Sequence, residues 1–184
     1  MDVTLAPLPG VLILKPRRFD DPRGFFNESY NRKRFEGIGI DVDFVQDSLS
    51  FSRPRLTVRG LHFQREPWAQ AKLVTVVSGA ALDVVVDLRR SSPCFGQHFA
   101  AKLTAADGSQ LFIPIGFAHW FVTLEPDTLL TYKVSNYYSP EHDTGIRFDD
   151  PLLGIDWGVD ANLIVASGKD RQLPALDPQL DYFP

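Results

Sequence analysis

Apolar residues come in short bursts along most of this chain, and turn-forming residues separate one burst from the next. From residue 42 onward the bursts recur at intervals of roughly ten residues, the rhythm of an all-β sandwich or barrel. They predict strands over 44–50, 57–64, 72–77, 80–88, 99–103, 110–113, 118–123 and 128–134. Ser78-Gly79, Asp107-Gly108 and Pro114-Ile115-Gly116 punctuate them with residues that tolerate positive φ or preset a turn. Upstream, 11–14 is a short apolar run, 19–24 is a dense turn signal, and 25–30 reads as a strand. Residues 31–36 have the composition of one helical segment, closed by Gly37 and Gly39. After Gly145 the pattern loses regularity, with a turn at Asp149-Asp150-Pro151 and a short helix expected near 167–171.

A sheet of this kind must close or double to protect its edges, and closure leaves a cavity at one mouth. The expected fold is therefore all-β, a cupin-like jelly-roll barrel with a few short peripheral helices. At 184 residues the chain suits one domain spanning 1–184. Fourteen prolines, thirteen glycines and 12% aromatic residues agree with strands and turns. A net charge of −4 argues against nucleic-acid binding, so an anionic ligand would have to be held by a few local cations. No run approaches the roughly 18 apolar residues of a membrane helix, and the N-terminus lacks the pattern of a secretory signal. A lone cysteine, Cys94, forms no internal disulfide. A cytoplasmic location without membrane attachment is expected.

One strand carries an unusual load: Arg59-Gly60-Leu61-His62-Phe63-Gln64. Burying a histidine costs free energy unless its ring nitrogens find partners. His62 is either a core histidine satisfied by hydrogen bonds or a base or metal ligand in a pocket. Metal-binding cupin barrels pair a His-x-His with a carboxylate and a later histidine in a Pro-x-Gly-x-x-His turn. Pro114-Ile115-Gly116-Phe117-Ala118-His119 supplies the later part. Gln64 and the cation Lys72 break the earlier part, so neither a metal nor another cofactor is expected. The same inventory suits proton transfer, with His62 as base, Lys72 as oxyanion donor, Tyr132 as acid and His119 as a second donor. Each also has a structural reading: Lys72 snorkelling to solvent, Tyr132 half-buried, His119 capping a turn.

Five segments together resemble the dTDP-4-dehydrorhamnose 3,5-epimerases, cupin-fold enzymes of deoxysugar biosynthesis. They are Arg59 to Gln64, Gln70-Ala71-Lys72-Leu73-Val74, Leu82 to Arg89, Pro114 to His119, and Tyr137-Tyr138-Ser139-Pro140. The resemblance implies a metal-free homodimer and a dTDP-4-keto-6-deoxyhexose substrate inverted at C3 and C5 through an enolate. By the same resemblance His62 is the base, held by Asp170, while Tyr132 returns the proton from the opposite face and Lys72 stabilises the C4 oxygen. Arg23 and Arg59 are implied at the diphosphate, with Phe26, Glu28, Gln46 and Tyr138 around the nucleotide. In the family the segment from Arg23 to Glu28 reaches a neighbouring subunit's site. Asp83 is a secondary candidate for orienting the base. Two positions depart from the family pattern: Ser48 replaces the usual asparagine, and Trp120 replaces the glycine after Phe-Ala-His. Two readings of Trp120 stand side by side: it narrows the pocket and limits which carbon is inverted, or, since alternation points it opposite to His119, it packs the sheet or a dimer contact. Two alternatives are a single-centre epimerase of a specialised deoxysugar pathway and a non-catalytic sugar-nucleotide-binding cupin. Strict alternation also places Arg59 and His62 on opposite faces, so a bulge at Gly60 is expected to bring both to one pocket.

Overall fold

The computed structural model describes residues 1–184, apart from the side chain of Ala161. In chain order the strands are β1 (Asp2–Leu5), β2 (Leu12–Lys15), β3 (Arg18–Asp21), β4 (Gly24–Asn27), β5 (Gln46–Ser52), β6 (Val58–Gln64) and β7 (Lys72–Ser78). They continue with β8 (Ala80–Asp87), β9 (His98–Thr104), β10 (Gln110–Ile113), β11 (Phe117–Thr123), β12 (Thr128–Val134) and β13 (Asp143–Ile146). Helix α1 (Arg32–Glu36) precedes β5, and α2 (Gly168–Arg171) follows β13. The Asn31 side chain caps α1 by accepting from the Arg34 amide, and Ser167 caps α2 through the Asp170 amide.

Two antiparallel sheets form the jelly roll. One runs β1-β2-β10-β7-β12-β5 and the other β13-β6-β11-β8-β9. Alternation sorts the side chains into three layers. Between the sheets lie Val74, Val76, Leu111 and Leu130 from the first and Ala81, Val85, Phe117 and Phe121 from the second. Outside the five-stranded sheet, Leu61, Val84, Trp120 and Val122 pack against Phe148, Leu153, Trp157 and Phe183 of the C-terminal segment. Outside the six-stranded sheet, Leu14, Leu73 and Phe112 receive Phe35 of α1 and Ile40.

The predicted strands all form, with ends shifted by at most three residues. Three were not foreseen, β1, β3 and β13, and the short apolar run at 11–14 becomes β2. The 19–24 turn signal is instead a hairpin, with Phe19 opposite Phe26 and Asp21 opposite Gly24. Its turn is so tight that the acidic residues before Pro22 still belong to a strand.

Trp120 belongs to the outer layer and is fully buried, with ring centroids 5.0 Å from Phe148 and 4.7 Å from Trp157. It does not reach the space between the sheets. Its indole Nε1 has no hydrogen-bond partner, a cost of about 1–3 kcal/mol. Burying ~200 Å² of aromatic surface at about 25 cal/mol per Å² outweighs that cost.

Candidate active site

The core stops short of one end of the sandwich, and there the two inner faces enclose a cavity of about 840 Å³. Most of the residues singled out in the sequence line it: Gln46, Ser48, Arg59, His62, Lys72, His119, Tyr132, Tyr138 and Asp170. They arrive from different walls. His62 and Arg59 stand on β6 and His119 on β11, all in the five-stranded sheet, whereas Lys72, Tyr132 and Ser48 stand on β7, β12 and β5 of the facing sheet.

The bulge expected in β6 is present. His62 pairs with His119 and Arg59 with Phe121, so three steps along β6 match two along β11. The extra residue rotates Arg59 onto the face of His62. Gly60 sits within the bulge, and a Cβ there would lie 2.5 Å from Asp170 Oδ1 and 2.6 Å from His62 Nε2. Only glycine leaves room for the imidazole and the carboxylate to meet at that point.

They meet closely. His62 Nε2 is 2.9 Å from Asp170 Oδ1, yet neither atom has a directed hydrogen bond, so the ring approaches the carboxylate off the N–H axis. Asp170 is buried and fixed from its other side, because Ser167 Oγ donates to its Oδ2 at 2.7 Å. Burial pushes the His62 imidazole below its ordinary 6.5, and the charges of Asp170 and Asp143 only partly restore it. A neutral imidazole with its proton on Nε2, toward Asp170, presents the lone pair of Nδ1, the form a base needs.

Lys72 projects inward from the start of β7, and its Nζ donates to the His62 carbonyl at 3.2 Å. Burial lowers its pKa to about 8, against the pull of Asp143 and Asp83. The ammonium therefore carries most of its charge at neutral pH and discharges within reach of it. Arg59 leans across to the facing sheet, where Nη2 donates to the Phe51 carbonyl at 2.9 Å and Nε to Ser52 Oγ at 3.2 Å.

A second histidine–carboxylate pair lies deeper, with His119 Nε2 2.9 Å from Asp83 Oδ1 and both side chains buried. Asp83 thus partners His119, not His62. Gln46 Oε1 accepts from the Tyr138 amide at 3.0 Å, and Gln46 Nε2 reaches Ser48 Oγ at 3.2 Å. Ser48 lies directly across the ladder from Tyr132.

Arg23, Phe26 and Glu28 are not brought to this cavity. They belong to the β3–β4 hairpin and the residue just after it, where Arg23 pairs with Asp21 at 2.6 Å and Glu28 with Arg34 at 3.2 Å. Phe26 is 69% exposed. The structure also adds two charged residues that the sequence reading passed over. Asp143, at the start of β13, takes the Lys169 ammonium at 2.7 Å and lies 3.4 Å from the Tyr138 hydroxyl. Its one sequence signal was weak: a carboxylate shortly before Gly145, in a stretch without visible alternation. Lys169 lies beside Asp170 in a segment that was read for Asp170 alone. With Arg59 and Lys72 it gives the cavity three cations against the two carboxylates Asp143 and Asp170, so an anionic ligand is acceptable despite the negative net charge.

A jelly-roll sandwich of the cupin type, with a histidine on one inner face and a lysine and a tyrosine on the other at its open end, is the class of protein that the fold and the cavity define. Within that class, residues 6–178 match the family model of dTDP-4-dehydrorhamnose 3,5-epimerase, and the chain belongs to that family. The Salmonella typhimurium protein of that name is 48% identical over 181 residues, covering 98% of each chain. A crystal structure of the Bacillus anthracis enzyme with TDP and pyrophosphate bound superposes with a TM-score of 0.92 at 47% identity, covering 95% of this chain and 99% of that one. The Legionella pneumophila enzyme in complex with dTDP-4-keto-L-rhamnose gives 0.90 at 38% identity, covering 95% and 92%.

Proposed function

We propose that this protein is an isomerase that inverts C3 and C5 of a dTDP-4-keto-6-deoxyhexose in deoxysugar biosynthesis. The observation that carries the reading is the placement of His62 on one wall of the cavity and of Lys72 and Tyr132 on the other. Inversion requires a proton to leave one face of a carbon and return to the opposite face, and two facing sheets supply two such faces.

The C4 carbonyl acidifies the hydrogens at both C3 and C5. His62 Nδ1 takes the proton, and the C–H electron pair moves toward the C4 oxygen to give an enolate. The Lys72 ammonium stabilises that oxygen. The Tyr132 hydroxyl then delivers a proton to the other face, the carbonyl re-forms, and solvent restores His62 and Tyr132. A positioned acid or base contributes about 10²- to 10⁴-fold, and an oxyanion donor about 2.7–4 kcal/mol. Asp170 holds the imidazole as the third member of a base-orienting set. Arg59 faces the diphosphate, with Gln46, Ser48, His119 and Tyr138 around the rest of the substrate.

Arg23, Phe26 and Glu28 complete the mouth of a second copy's cavity in a homodimer. What supports this is the exposure of Arg23 and Phe26 on a hairpin that also carries Phe19 and Phe25 in the open, with the half-buried Glu28 directly after it. Cys94 is unpaired, in keeping with a cytoplasmic enzyme. No helix is long and apolar enough to cross a membrane among the described residues.

The test is His62→Ala. It should abolish hydrogen exchange between substrate and solvent while dTDP binding survives; retained exchange would overturn the assignment of the base.

A further inference from the structure

Gln64 closes the strand that carries His62, and it is 3% exposed. Three of the four hydrogen-bonding directions of its carboxamide are taken by backbone from two separate segments. Its Nε2 donates to the Trp68 carbonyl at 2.6 Å and to the Tyr137 carbonyl at 3.0 Å. Its Oε1 accepts from the Ser139 amide at 2.7 Å. The Trp68 turn leads into Lys72, and residues 137–139 carry Tyr138 to the cavity mouth. Two further amides bind these segments to each other: Gln70 Nε2 donates to the Asn136 carbonyl at 2.7 Å and Asn136 Nδ2 to the Pro67 carbonyl at 3.2 Å.

We propose that Gln64 is a positioning residue for the substrate's nucleotide end: its carboxamide sets the 137–139 segment, and with it Tyr138, against the strand that carries His62. This rests on the epimerase reading of the cavity. Tyr138 itself has two polar ties among the described residues, its amide to Gln46 Oε1 at 3.0 Å and its hydroxyl to Asp143 Oδ2 at 3.4 Å, and it is 56% exposed. The segment is thus located mainly by backbone bonds to glutamine side chains. A carboxylate at position 64 has the same shape but turns an acceptor toward two carbonyl oxygens, which repels both. No other side chain of that size supplies two donors and an acceptor in one plane.

The experiment compares wild type, Gln64→Glu, Tyr138→Ala and the double variant, reading dTDP affinity by calorimetry together with kcat and KM. Gln64→Glu should weaken dTDP binding and raise KM about tenfold while kcat stays within about threefold. On the Tyr138→Ala background the same change should have little further effect on affinity, because the group it positions is gone. Unchanged dTDP affinity in Gln64→Glu, or effects that simply add in the double variant, would overturn the proposal. If Gln64→Glu does not fold, Gln64→Met preserves the volume without charge and is read by the same cycle. A wild-type protein that fails to bind dTDP would instead sink the epimerase reading itself.

Discussion

His62 Nε2 and Asp170 Oδ1 approach to 2.9 Å directly over the α carbon of Gly60, where a methyl group would lie within 2.6 Å of both. Three features that are distant or bland in the sequence are thereby one feature in space. The β6 bulge turns Arg59 inward, the missing side chain at Gly60 makes room, and the capped turn at Ser167 delivers the carboxylate.

Gly60→Ala is therefore expected to act on the base before it acts on the fold. The added methyl must displace either the imidazole or the carboxylate, and a displaced catalytic pair loses on the order of 10²-fold in kcat. Overpacking costs about 1–3 kcal/mol of stability. Steady-state rates and chemical denaturation check the two parts; wild-type kcat in the variant would show that the contact with Asp170 is dispensable.

The pH profile of kcat/KM should be a bell. The His62 imidazole, held below 6.5 by burial, must be neutral, so activity is present above its pKa and is lost as pH falls through it. Lys72, lowered to about 8, must be charged, so activity is present below that value and is lost as pH rises through it. Lys72→Arg keeps a charge at any accessible pH, and whatever activity it retains should lack the alkaline limb. An alkaline limb unchanged in that variant would assign it to another group.

Lys72→Met should trade activity for stability. With Lys72 at about 8 in the fold and 10.5 in the unfolded chain, keeping the ammonium inside costs roughly 3 kcal/mol at 1.36 kcal/mol per pH unit. Loss of its bond to the His62 carbonyl returns about 1 kcal/mol. The variant should be more stable by about 2 kcal/mol below pH 8, the gain fading toward pH 10.5, and should turn over at least 10²-fold more slowly. Urea melts at several pH values measure this; a destabilised variant would contradict it.

Much of the fold was legible because the strands from β5 to β12 are apolar-rich runs of four to eight residues set between turn-forming residues. The strand β13 was not, since four residues with a glycine among them have no period of their own. It is a strand because β6 offers it an edge, Gly145 lying opposite His62. The hairpin of β3 and β4 was hidden by the acidic and glycine residues at its turn. In the site, His62, Lys72 and Tyr132 were visible as polar residues in apolar strands, whereas parity alone left Trp120 open between pocket and sheet packing until Phe148 and Trp157 showed which face is covered. Asp83 illustrates the limit: alternation places it on the inner face, but only the pairing of β8 with β11 shows that it meets His119. Asp143 and Lys169 come from segments without periodicity, and nothing local to the sequence couples them.

The most direct test of opposite-wall proton transfer is incubation of the purified protein with dTDP-4-keto-6-deoxyglucose in D₂O, followed by NMR at C3 and C5. Deuterium should enter both positions, accompanied by inversion at each. Exchange confined to one carbon would make this a single-centre epimerase, and tight binding with no exchange at either would contradict catalysis altogether.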